Sequence, residues 1–272
     1  MNRKILYPIL IIIVTVLLYY AEGYVDAQND EYPENDPSLE EYTSFEFDDA
    51  FLPTSTTGEI VKHNYYTLSY SEKFEQAEWV AYPLNKNHLS QNNFERPYFV
   101  EDRSVPSNSA DWRNYKKSGF DKGHLCPAGD RRFSFEAHQE TFLTSNISPQ
   151  NHKFNAGIWN KLEQKTRYWA KRYNGVYVIT GGILNPGLKT IGDEKVAVPD
   201  QFYKIIMDAS NDNYSLIAFL IPNAPVEGSF YNYTVSVDEI ENLTGINFFP
   251  NLSEDIQIRL ESKVNLENWG NR

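Results

Sequence analysis

The stretch Ser118-Gly-Phe-Asp-Lys-Gly-His-Leu-Cys126 places a histidine at the end of a tight, glycine-containing Asp-Lys-Gly-His run. About twenty residues later Thr144-Ser-Asn-Ile-Ser-Pro-Gln150 reads as an amide-rich loop. It leads into Asn155-Ala-Gly-Ile-Trp-Asn-Lys-Leu-Glu163, the opening of a helix that carries Asn155, Trp159, Glu163 and Arg167. Together these segments supply a general base, a set of hard-metal ligands and cations for a phosphate. That inventory is the one a metal-dependent phosphodiesterase needs.

The pattern resembles the DNA/RNA non-specific endonucleases with a ββα-metal (His-Me finger) active site. That family carries Asp-Arg-Gly-His, then Ser-Asn-Ile/Val-x-Pro-Gln, then Leu-Asn-x-x-x-Trp-x-x-Leu-Glu and a helical arginine. Here the blocks read Asp121-Lys122-Gly123-His124, Ser145-Asn146-Ile147-Ser148-Pro149-Gln150, and Phe154-Asn155-x-x-x-Trp159-x-x-Leu162-Glu163 with Arg167. The match extends upstream to Trp79-Val-Ala-Tyr82, Arg96-Pro97 and Asp102-Arg-Ser-Val-Pro106, and downstream to Ile221-Pro-Asn-Ala-Pro225 and Val237-Asp-Glu-Ile-Glu241. It covers about residues 60–252. The resemblance implies an α+β fold, with a central antiparallel sheet flanked by helices. It also implies hydrolysis of DNA and RNA to 5′-phosphate products.

Roles follow residue by residue. A neutral imidazole accepts a proton from water near neutral pH, so His124 is the expected base. Asn155 is the expected direct metal ligand, its amide oxygen being a hard donor suited to Mg²⁺, with Mn²⁺ as a substitute. On one helix, position i+8 lies about 80° around and about 12 Å along, so Glu163 is expected to reach the ion through water. Asp121 is expected to fix its loop by hydrogen bonds. Asn146 and Gln150 either support the site or cap turns. Arg96, Lys122 and Arg167 are the expected phosphate clamps. Lys122 departs from the family's arginine, keeping the charge but losing the bidentate fork. Gly123 permits close approach or positive φ before the base. Trp159 is expected to be a core anchor. Relatives of this kind are often dimers, so a homodimer is implied by the resemblance, though no sequence feature carries it.

Net charge over 272 residues is −12, a sign that by itself opposes a nucleic-acid substrate. Its distribution removes the difficulty. Residues 21–50 hold eleven Asp or Glu and no Lys or Arg, whereas residues 91–172 hold 14 basic against 9 acidic side chains. The segment that carries the motifs is basic, as approach to phosphate requires. A surface protein that binds nucleic acid without cutting it would share that charge; only an enzyme needs His124, Asn155 and Glu163 together.

Arg3 and Lys4 precede an uncharged run from Ile5 to Tyr20. This pattern reads as a signal peptide over 1–27, or an uncleaved N-terminal anchor. It places the chain in a secreted or periplasmic setting, with membrane contact only if the segment stays attached. Residues 28–57 read as an acidic disordered spacer, and 58–272 as the endonuclease domain. Cys126 is the only cysteine, so no intrachain disulfide forms. A zinc site from His124, Cys126, His138 and His152 fits no common spacing; Cys126 is expected to pack as a small apolar residue. Tyr65–Tyr70 and Trp79–Tyr82 read as a hairpin, 84–120 as an irregular segment bringing Arg96 to the site, and Asn155–Tyr173 as one helix. Val176–Thr180, Phe202–Met207 and Leu216–Ile221 read as strands. Val237–Leu243 reads as a helix ended by Gly245, and 250–272 as a helical or frayed tail.

Overall fold

A computed structural model of the chain describes residues 49–90, 92–209 and 214–270. The expected signal or anchor, and the acidic spacer as far as residue 48, lie outside them. Seven strands form one sheet in the order β1-β2-β3-β6-β9-β10-β11, every neighbouring pair antiparallel. They are β1 Ile60–Lys62, β2 Thr67–Ser71, β3 Gln76–Asn85, β6 Gly175–Gly182, β9 Gln201–Asp208, β10 Ser215–Pro222 and β11 Thr234–Val235; β7 Thr190–Ile191 and β8 Val196–Ala197 pair with each other outside this sheet. The hairpin expected around Tyr65–Tyr82 is β2–β3, with a register shift between Ser69 and Tyr70.

Alternation along the strands sorts side chains onto two faces. Val80, Tyr82, Val178, Phe202, Ile206, Ile217 and Phe219 enter one apolar cluster. Trp79, Ala81, Ile179, Tyr203, Ile205, Met207 and Ala218 enter the other. Burial on both faces explains why β6, β9 and β10 are near-continuous apolar runs. The first face is covered by helix α2 (Asn160–Arg172) through Leu162, Trp169 and Ala170. Trp169 stacks on Phe219 with ring centroids 6.2 Å apart. The second face is covered by α3 (Val237–Thr244) and α4 (Glu254–Glu261) through Val237, Ile240 and Leu260. The Ser236 hydroxyl accepts the Glu239 N–H to cap α3, and Gly245 ends it at φ 74°, donating its N–H to the Glu241 carbonyl. Only a residue without a Cβ adopts that conformation readily. A shorter helix, α1 (Phe135–Glu140), precedes the second motif. Among the described residues no helix is long and apolar enough to cross a membrane.

Three local expectations are corrected. The two motif stretches are not loops but a two-stranded ribbon, β4 (Asp121–His124) against β5 (Ile147–Gln150), with Asp121 opposite Gln150 and His124 opposite Ile147. The expected single helix from Asn155 is broken. Phe154–Trp159 forms a wide π-type turn in which Gly157 sits at φ −101°, ψ −108°, outside the helical basin, and regular helix begins at Asn160. Glycine tolerates that excursion at little steric cost. The packed chain also starts before residue 58. Phe51 is buried against Tyr177, ring centroids 4.7 Å apart, and the Trp79 indole N–H donates to the Thr54 carbonyl at 2.9 Å. Phe51→Ala is therefore expected to cost about 3 kcal/mol of stability, the usual scale for emptying a buried aromatic site. An unchanged urea midpoint would show that this segment only rests on the domain.

Residues 84–120 are irregular as expected. Their described part holds two short 3₁₀ turns, Lys86–His88 and Trp112–Tyr115, and Val100 forms a parallel bridge to Leu143. This segment lays Arg96 and Phe99 over the β4–β5 ribbon. Under it a third apolar cluster gathers Phe99, Tyr115, Phe142 and Ile147.

Candidate active site

Alternation along β4 separates its four residues. Lys122 and His124 share one side, Asp121 and Gly123 the other. The His124 ring lies 5.5 Å from Phe99 and 5.1 Å from Phe142, the latter nearly perpendicular. Its Nε2 is buried and has no hydrogen-bond partner within the protein. The Arg96 guanidinium sits 5.6 Å over Phe99 and 5.7 Å over Phe142. Lys122 Nζ lies 5.5 Å over Phe99 and 5.9 Å over Trp112. Three basic groups thus share one aromatic platform. Burial, then the charge of Arg96, then His138 push the His124 imidazole down to about 3, so it is neutral. Burial and Arg96 also lower Lys122. The cluster is a neutral imidazole with an unpartnered ring nitrogen, flanked by cations held close enough to repel one another.

On the other side of β4, Asp121 Oδ2 accepts the Asn155 Nδ2–H at 3.0 Å and pairs with His152 Nδ1 at 2.9 Å. A carboxylate only accepts, so it fixes the amide orientation, and the Asn155 oxygen faces away from Asp121 as the free donor atom. That answers what Asp121 does. An oriented, hard oxygen fits a Mg²⁺-class cation.

Asn146 is fully committed to the backbone. Its Oδ1 accepts the Cys126 N–H at 2.8 Å, and its Nδ2 donates to the carbonyls of Cys126 and Thr141 at 3.0 and 2.9 Å. It staples the chain just after His124, so of the two expected roles it supports the site by fixing the backbone there. Gln150 is buried, with neither amide atom bonded within the protein. Gly123 is required for room, not for φ: a Cβ there would lie 2.1 Å from Gln150 Cδ.

Behind the ribbon runs a buried chain of charges on the α2 face of the sheet. Arg167 Nε donates to Asp130 Oδ1 at 2.6 Å, and its Nη2 lies 3.8 Å from Glu163 Oε2. The Tyr82 hydroxyl donates to the other Asp130 oxygen at 3.0 Å. Lys204 Nζ donates to Thr180 Oγ1 at 2.6 Å and lies 4.9 Å over the Trp159 ring. Burial raises the Glu163 carboxyl to about 7, against the lowering pull of Lys204 and Arg167. Burial is also the largest influence on Arg167, but Asp130 and Glu163 outweigh it and hold the guanidinium above its usual range. Arg167, expected as a phosphate clamp, is thus held by Asp130, because a buried carboxylate needs a cation. Gly129 makes the approach possible; a Cβ there would sit 2.7 Å from Arg167 Nη2.

The structure thus gathers Arg96, Lys122 and His124 in one cluster, Asp121 and Asn155 in a second, and Glu163 with Arg167 in a third. Reading the motifs missed Asp130, Lys204, Phe99, Phe142 and His152. Lys204 had a signal, being the one charged residue inside the apolar run Phe202–Met207. Trp159 is a core residue as expected, packed on Phe154 and Phe202. Cys126 is buried, its thiol pushed up to about 12 by burial. Among the described residues His124, Cys126, His138 and His152 do not converge as a ligand group. A cavity of about 370 Å³ lies elsewhere, lined by Lys62, His63, Tyr65, His88, Arg131 and Phe133. It touches none of the motif residues.

Comparison with known proteins agrees with this arrangement. The sequence model of the DNA/RNA non-specific endonucleases matches residues 45–255. The mitochondrial nuclease EXOG of Danio rerio is 38% identical over 206 residues, covering 70% of this chain and 60% of that protein. A nuclease of Nostoc is 35% identical over 231 residues, covering 78% and 81%. Human mitochondrial endonuclease G is 34% identical over 202 residues, covering 69% and 68%. This chain spans about 60% of the length of the EXOG relatives. A chain of the EndoG/EndoGI complex crystal structure superposes with a TM-score of 0.67 at 30% identity, covering 72% of this chain and 87% of its own. With the motif blocks seated on a strand–strand–helix unit beside an antiparallel sheet, the chain belongs to the DNA/RNA non-specific endonuclease family.

Proposed function

We propose that this chain is a divalent-metal-dependent endonuclease. It hydrolyses phosphodiester bonds of DNA and RNA without sequence preference and leaves 5′-phosphate ends. The observation that carries the reading is the β4–β5 ribbon, which presents a neutral imidazole at His124 and, through Asp121, an oriented amide oxygen at Asn155. A Mg²⁺ ion held by Asn155, with Mn²⁺ as a substitute, would stabilise charge on the phosphoryl and departing oxygens.

The protein's own groups supply the rest. Arg96 and Lys122 draw the scissile phosphate onto the Phe99 platform, where its negative charge relieves their repulsion. The same charge raises the basicity of His124, which takes a proton from the attacking water. Glu163, steadied by Arg167 and Lys204, would accept hydrogen bonds from waters that such an ion carries. Contacts of this kind go to backbone and not to base edges, which suits cleavage without sequence preference.

The test is incubation of the purified chain with plasmid DNA and with RNA, with Mg²⁺ or Mn²⁺ and in excess EDTA. Cleavage of both substrates, abolished by EDTA, is expected. Full activity in EDTA, or retention of substrate without cleavage under any divalent ion, would overturn the reading; the second result would mark a binding protein.

A further inference from the structure

We propose that Asp238, Glu241 and Glu261 form a second site, for a hard divalent cation of the calcium class, that clamps α3 to α4. Ligand oxygens of the three carboxylates lie within 4.8 Å of one another. Among the described residues this is the one place where three Asp, Glu, His or Cys side chains converge so closely. Asp238 and Glu241 are three apart on α3 and so share a face. Glu261 is the last residue of α4, adjoining the core residue Leu260.

Crowded surface acids alone would carry nothing. Glu261 differs because it is not at the surface. Its residue is only 4% exposed, and its Oε1 is buried without any hydrogen-bond partner. A carboxylate taken out of water without a partner is costly, so such groups are paired, protonated or bound to a cation. The carboxyls that converge on Glu261 are Glu241 and Asp238, both of its own sign. Glu241 is itself fixed, because its Oε1 accepts the Phe248 N–H at 2.9 Å. One carboxylate is thus positioned, one is buried and aimed inward, and one stands beside them. A cation satisfies all three at once. Each carboxylate offers one oxygen to the group, and Ca²⁺, which takes oxygen ligands in flexible geometry and fills its shell with water, suits such a site better than Mg²⁺, which demands near-ideal octahedral geometry and gives up its waters reluctantly. The site lies over the second face of the sheet, whereas Glu163 and Trp159 lie over the first. The inference does not depend on the nuclease reading.

The experiment uses the full chain carrying Asn155→Ala, so that cation binding at the amide contributes nothing. CaCl₂ is titrated by calorimetry, and thermal melts are recorded with and without it. We expect one binding event and a Tm rise of ~2–4 °C at saturation, the scale for ~1 kcal/mol of linkage in a domain this size. Glu261→Gln, and separately the milder Asp238→Asn, should abolish both in the same background. An unchanged Tm and no binding heat would overturn the proposal. So would a Glu261→Gln variant that is more stable than its parent while Ca²⁺ affects neither, since the carboxyls would then be sharing a proton. Retention of the full Ca²⁺ effect in both variants would place the ion elsewhere and overturn it too.

Discussion

His124→Ala is expected to lower turnover by at least ~100-fold, the lower range for loss of a general base. Metal affinity should hardly change. The imidazole is enclosed by Phe99 and Phe142 on the Lys122 side of β4, whereas Asn155 is held from the Asp121 side. The buried Nε2 of the imidazole bonds to nothing in the protein, so truncating the ring leaves no partner of that atom unpaired. The variant should therefore fold and bind Mg²⁺ while turning over slowly. The check is a divalent-ion titration of cleavage rate beside calorimetric Mg²⁺ binding. Loss of ion binding in His124→Ala, with Asn155→Ala binding normally, would reverse the two roles.

Asn155→Ala is expected to fail differently. Removing the partners behind a metal ligand commonly costs ~10–100-fold in affinity or activity, so removing the ligand itself should reach at least the upper end, ~100-fold at fixed Mg²⁺. Excess Mn²⁺ should return part of the rate. Asp121→Ala should resemble it more mildly, because the amide oxygen survives but loses the carboxylate that orients it. Glu163→Ala should fall within the same ~10–100-fold range. Its pH dependence has a definite sign. The Glu163 carboxyl is raised to about 7, so as pH falls below that value it gains a proton and ceases to support the ion. Mg²⁺ affinity should weaken on the acid side of about 7 in the parent, and Glu163→Gln should flatten that slope. A parent affinity that holds constant from pH 8 to 5 would remove Glu163 from the ion's surroundings.

How far the sequence carried varied with the physics. β6, β9 and β10 were legible because both faces of the sheet are buried, which makes their apolar runs unmistakable. β4 and β5 were not. Asp-Lys-Gly-His and Ile-Ser-Pro-Gln carry little strand propensity, and their pairing comes from cross-links such as the Ser148 hydroxyl donating to Gln76 Oε1 at 2.5 Å. The break at Gly157 was hidden because helical spacing of the apolar residues continues through it. His124, Asn155 and Glu163 could be named from their motifs. Their companions could not, because the link from Arg167 to Asp130 spans 37 residues and that from Lys204 to Glu163 spans 41. No local pattern records such pairings.

The sheet's outermost strands limit how two copies of this chain can meet. At one rim stands Ile60–Lys62, three residues long; at the other, Thr234–Val235, two residues long. An incoming strand from a second copy would find only two or three residues of backbone ladder at either rim, and lysine at one end of the first. Brief, charged margins of this kind resist strand-to-strand joining. Extension of the seven-stranded sheet across two copies is therefore disfavoured, and contact through side chains is favoured over it. Such contact would be tunable by surface substitution without disturbing the strands that support the β4–β5 ribbon.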